Sequence, residues 1–103
     1  MSEAIRIRAR LKNDLTEVTV LMPHPMETGL RVEPSGSPVP AHYITDVDVW
    51  AGHRKVFSAR LGIAVSKDPP LTFRFRGGAL GEPIRVAWRD SRGEQRFGEA
   101  KTT

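Results

Sequence analysis

The sequence predicts an all-β fold, an immunoglobulin-like β-sandwich of about seven short strands. Three observations lead there. Apolar and polar residues alternate with a period of two along most of the chain, turn residues recur roughly every 8–12 positions, and no segment makes a credible helix. At 103 residues, positions 1–103 make one domain with a single modest core.

The elements follow in order. Ile5, Ile7, Ala9 and Leu11 alternate with Arg6, Arg8, Arg10 and Lys12, so a first strand turns four apolar side chains inward and four cations outward. Asn13-Asp14 is a turn, and Leu15 to Met22 is β-branched with apolar residues on both faces, as a central strand requires. Residues 23 to 41 hold five prolines and two glycines, which suit neither a helix nor an internal strand. Loops of that length in a small domain usually serve a function. Tyr43 to Trp50 alternates again, and a turn at Ala51-Gly52 leads into Arg54 to Leu61. After a loop at 62 to 70, Leu71, Phe73 and Phe75 oppose Thr72, Arg74 and Arg76, and Gly77-Gly78 ends the strand. Ile84, Val86 and Trp88 then oppose Arg85, Ala87 and Arg89. Asp90-Ser91-Arg92-Gly93 has the form of a type I turn with a glycine bulge, leading into a final strand from Glu94 to Ala100.

Composition removes several function classes. With no cysteine there is no structural disulfide, thiolate metal site or cysteine nucleophile. Iron enzymes of immunoglobulin-like fold that reduce superoxide use histidines and one cysteine, so that chemistry is not expected. No stretch approaches the roughly 20 apolar residues of a membrane helix, and no membrane partner is expected. The opening MSEAIRIRARL has no apolar signal region, so export would depend on another protein. The formal charge is +4, and twelve of the sixteen basic residues are arginine, which suits a polyanion or an acidic protein.

Candidate chemistry is sparse. His24, His42 and His53 match no zinc spacing and read as separate surface or loop histidines, so neither a metal nor any other cofactor is expected. No serine sits in a nucleophile elbow, and the glycines at 77, 78 and 81 join two strands where a phosphate loop needs Lys and a helix. The protein is therefore not an enzyme by this reading. Arg6, Arg8, Arg10, Arg74, Arg76, Arg85 and Arg89 form an outward basic stripe, but Phe73, Phe75 and Trp88 have the opposite parity. A stripe without aromatics lacks the stacking platform of single-strand binders, so nucleic acid is the alternative, and a solvated strand face or an interface with an acidic protein is the preferred reading. The segment Met22-Pro23-His24-Pro25-Met26 is stiffened by proline and flanked by methionines. It is expected to dock a partner through Met26 as an apolar anchor and His24 as a polar contact, with closure of the sandwich mouth by the methionines as the structural alternative.

Ile5-Arg6-Ile7-Arg8-Ala9, His24-Pro25-Met26-Glu27-Thr28-Gly29-Leu30-Arg31, Pro40-Ala41-His42-Tyr43-Ile44, Val65-Ser66-Lys67 and Phe73-Arg74-Phe75-Arg76-Gly77 together resemble the SoxZ family. The resemblance runs over nearly the whole chain. It implies a noncatalytic subunit, without cofactor, of a heterodimeric sulfur carrier. Its SoxY-type partner holds thiosulfate-derived intermediates on the cysteine of a C-terminal Gly-Gly-Cys-Gly-Gly arm, and other Sox enzymes act on that arm in passing. It also implies a periplasmic location reached with the partner's export signal. Partner-binding roles are expected for His24, Met26, Arg31, Arg74 and Arg76.

Overall fold

The computed structural model describes residues 4–103. Its strands are β1 (Arg6–Lys12), β2 (Leu15–Leu21), β3 (Ile44–Ala51), β4 (Arg54–Arg60), β5 (Pro70–Arg76), β6 (Pro83–Asp90) and β7 (Gln95–Lys101). They form two antiparallel sheets, β1-β2-β5 and β4-β3-β6-β7, packed as a sandwich. The expected all-β architecture and strand number hold.

Turn chemistry places the strands. Asn13, at φ 58°, makes the two-residue turn that pairs Lys12 with Leu15. The β3–β4 turn falls on Gly52-His53, one residue later than the sequence suggested, because Gly52 supplies the positive φ (59°). Gly77 and Gly78 also lie at positive φ, and the Thr16 hydroxyl donates 2.8 Å to the Gly77 carbonyl. A Cβ on Gly78 would collide with that hydroxyl, so the strand can stop there only with glycine.

Period-two alternation buries one side of each sheet. Val18 and Val20 from β2 share one core with Val47, Val49, Ile84 and Val86 from the other sheet, all fully buried, and with Trp88. At one flank, residue 103 pairs with β1: the Leu11 amide donates to the Thr103 carbonyl and the Thr103 amide to the Ala9 carbonyl, both at 2.9 Å. At the other flank Phe57 of β4 stacks on Phe73 of β5, with ring centroids 4.5 Å apart.

The sandwich splits the predicted basic stripe in two. Arg6, Arg8, Arg10, Arg74 and Arg76 lie on the outward face of the β1-β2-β5 sheet, whereas Arg85 and Arg89 belong to β6 in the other sheet. The common parity seen in the sequence is real, but outward means opposite directions in the two layers.

Candidate docking arm and its buried histidine base

Between β2 and β3 the chain builds a two-stranded arm. Glu27 and His42 exchange backbone hydrogen bonds of 2.7 and 2.9 Å, the Val39 amide donates 2.9 Å to the Arg31 carbonyl, and the Glu33 amide donates 2.9 Å to Ser37. The molecule measures 54 × 20 × 18 Å. A strand of seven or eight residues spans only about 25 Å, so the arm supplies much of the length. Leu30 and Val32 are 79% and 59% exposed on the arm. Arg31, predicted as a contact, is on the arm too, and its guanidinium grips Glu27 with Nη2 to Oε1 at 2.7 Å. That bond holds the Glu27 carboxyl below its ordinary pKa and raises Arg31.

The arm's base is a buried cluster. The Nε2 atoms of His24 and His42 both donate to Asp90 Oδ2, at 3.0 and 2.7 Å. Asp90 Oδ1 accepts the backbone amides of Arg92 and Glu94 at 3.0 and 2.9 Å. One carboxylate thus joins the exit of β2, the root of the arm and the β6–β7 turn. The Asp68 carboxylate takes the His24 amide at 2.8 Å, and the Asp68 amide donates 2.9 Å to the His24 carbonyl, which binds the 62–70 loop to the same point.

These contacts correct one expectation and locate two of the predicted contact residues. His24 and His42 are not separate surface histidines; their rings are 4.5 Å apart, and only His53 stands away, exposed in the β3–β4 turn. His24 and Met26 are also buried, at 4% and 6% exposure. Neither side chain can serve as an exposed contact in this conformation. Met22 and Met26 belong to the buried core, and the Ile44 amide lies 3.2 Å from Met26 Sδ. Sequence reasoning missed Asp90, although its parity with Ile84, Val86 and Trp88 points it inward.

Two histidines and a carboxylate with ligand atoms within 4.8 Å of one another invite a metal reading. The hydrogen bonding does not fit one. His24 Nδ1 accepts the Met26 amide at 3.1 Å, so the single proton of the neutral ring sits on Nε2 and points at Asp90. A metal on Nε2 would force the proton onto Nδ1, against the Met26 N–H, the reverse of the usual arrangement in which a ligating histidine donates its second nitrogen.

A family model described as sulphur oxidation protein SoxZ matches residues 5–101. The chain belongs to the SoxZ family. As a SoxZ-family chain it is a noncatalytic sulfur-oxidation subunit. No curated protein matches significantly. Solved structures with the same architecture include a superoxide reductase (neelaredoxin) from Ignicoccus hospitalis (14% identity, TM-score 0.65, covering 99% of this chain and 80% of that one). A putative superoxide reductase from Thermotoga maritima (16%, 0.69, 100% and 86%) and one from Nanoarchaeum equitans (11%, 0.69, 97% and 92%) are similar. At such identities the likeness is one of fold.

In this SoxZ-family chain the remaining predicted contacts, Arg74 and Arg76, lie far from the arm in sequence and on a sheet face, with Arg74 Nε 3.0 Å from Glu17 and Arg76 Nη1 3.6 Å from Asp14. The structure therefore divides the predicted set among a buried base (His24, Met26), an exposed arm (Arg31) and a charged face (Arg74, Arg76).

The cluster also makes the fold sensitive to acid. Burial alone would raise the Asp90 carboxyl, but the bonds from His24, His42 and the amides of Glu94 and Arg92 outweigh it and hold its pKa below the usual 3.8. A carboxylate depressed in the folded state adds stability that is complete above the unfolded pKa and is lost as pH falls through the folded one. Urea unfolding measured at decreasing pH should show stability dropping below about pH 4, with a shallower drop in Asp90→Asn. Equal acid slopes in the two proteins would show that Asp90 is not the group responsible.

Proposed function

We propose that this chain is the noncatalytic half of a SoxYZ-type sulfur carrier. It pairs with a SoxY-type subunit whose C-terminal cysteine arm holds thiosulfate-derived intermediates, and separate Sox enzymes process the cargo. The family match supports the sulfur-oxidation role. The observation that supports pairing is the projecting arm, which leaves Leu30 and Val32 uncovered while its base is fixed by buried hydrogen bonds. An isolated two-stranded ribbon is marginal in water, and apolar side chains held out on one gain most from a second protein that covers them. The complex works in the periplasm, reached by folding onto a partner that carries the export signal.

The test is reconstitution. Co-expression with a SoxY-type protein should give one heterodimer peak in size-exclusion chromatography at micromolar concentration. Two independent peaks would overturn the carrier reading.

A further inference from the structure

The outward face of the β1-β2-β5 sheet concentrates positive charge, and along β1 that charge is unpaired. Arg6, Arg8, Arg10 and Lys12 occupy every second position of β1 and are all exposed. At the strand rise they stand about 7 Å apart, a line of roughly 20 Å. Arg74 and Arg76 form a second row across β2, about 10 Å away. Glu17 lies between Arg10 and Arg74 in register and bonds Arg74, and Asp14 lies against Arg76 at the end of the second row. Among the described residues, the four β1 cations have no carboxylate partner. The other outward face differs: Lys55 and Arg60 lie against Asp48 and Asp46, and Lys55 and Arg85 flank the Trp50 ring.

We infer that the β1 row is a docking surface for an acidic protein, one that associates transiently and in a salt-dependent way, separate from the apolar arm. A single exposed ion pair adds little, but a line of like charges creates a field that speeds encounter and orients the partner. Arginine's planar fork fits carboxylates in pairs. Carboxylates at alternate positions of a partner strand would repeat at the same spacing as the β1 cations. The alternative polyanion, nucleic acid, fits less well. Among the described residues the face carries no aromatic ring for bases to stack on, and Glu17 sits inside it. A protein can place a neutral or basic group opposite Glu17, whereas a phosphate polymer repeats its charge regardless. The surface needs no heterodimer to act, so its test is independent of pairing with a SoxY-type subunit.

The experiment uses the full chain and two variants of equal charge, Arg6→Glu/Arg8→Glu on the proposed face and Arg85→Glu/Arg89→Glu on the opposite one, with Arg6→Ser/Arg8→Ser as a milder substitute should the first fold poorly. Fluorescent poly-L-glutamate and a random-sequence DNA duplex serve as probes between about 50 and 200 mM salt. Poly-L-glutamate should bind at low salt, weaken as salt rises, and lose about tenfold in affinity in the β1 variant but less than about threefold in the β6 variant. Equal losses in both variants would show that net charge alone is responsible, and absence of binding at low salt would equally overturn the inference. Tighter binding of the duplex than of poly-L-glutamate, through the same two arginines, would replace the acidic protein with nucleic acid.

Discussion

Asp90→Ala should cost about 3–5 kcal/mol of folding stability, the range typical of breaking a buried charge network by removing one partner. Asp90 is 3% exposed, and its carboxylate accepts four hydrogen bonds, two from imidazoles and two from backbone amides. Alanine would leave all four donors without that partner; the buried His24 ring carries the full penalty of roughly 1–3 kcal/mol, and the part-buried His42 ring and the amides of Arg92 and Glu94 a share of it, since water reaches them. For a chain of this size a loss of that order lowers the thermal midpoint by on the order of 15 °C or more. Asp90→Asn should lie between the two, because its oxygen can keep the amides of Arg92 and Glu94 while its NH₂ faces the histidines. Urea unfolding of the three proteins measures the effect. A loss under about 1 kcal/mol for alanine would mean that the cluster is not what fastens the arm.

The arm itself gives the second large effect, and in the opposite observable. Leu30→Asp with Val32→Asp should leave the isolated chain unchanged within about 0.5 kcal/mol, since both side chains already face solvent. The heterodimer should suffer heavily. Two charges placed where the partner expects apolar surface should reduce affinity by about a hundredfold or more, equivalent to roughly 3 kcal/mol. Titration calorimetry of each variant against the SoxY-type subunit reads this directly. Unchanged affinity would move the partner's seat away from the arm and leave pairing itself untouched.

Much of the fold was legible because its period-two signal is strong. Arg6 to Lys12 announces its inner and outer faces unaided, and the positive-φ positions at Asn13, Gly77 and Gly93 fall where the turn residues suggested. The stripe of arginines was misread because parity gives a side of a strand and says nothing of which sheet the strand joins; that is settled by the pairing of β2 with β5 and of β3 with β6. The candidate site was half visible. The proline-bounded His24 segment stood out in the sequence, but its ring bonds Asp90, 66 positions away in the chain, and no local pattern reports such a contact. The clue lay in Asp90 itself: a carboxylate in the inward row of a strand must find donors, and the histidines were the candidates within reach.

The order of strands in space has a consequence during synthesis. β2 is central in its sheet, yet its second neighbour is β5, which ends at Arg76. When the first hairpin leaves the ribosome, more than half of the chain that will flank it does not exist. At about 5–20 residues per second that interval lasts on the order of several seconds, with Val18, Val20 and Met22 facing water throughout. Such non-local pairing also makes folding slow once the chain is complete. The nascent hairpin is therefore the stage at which a holdase chaperone has most to protect, and the arginines that alternate along β1 would serve there as gatekeepers, charges that discourage one unfinished edge from pairing with another.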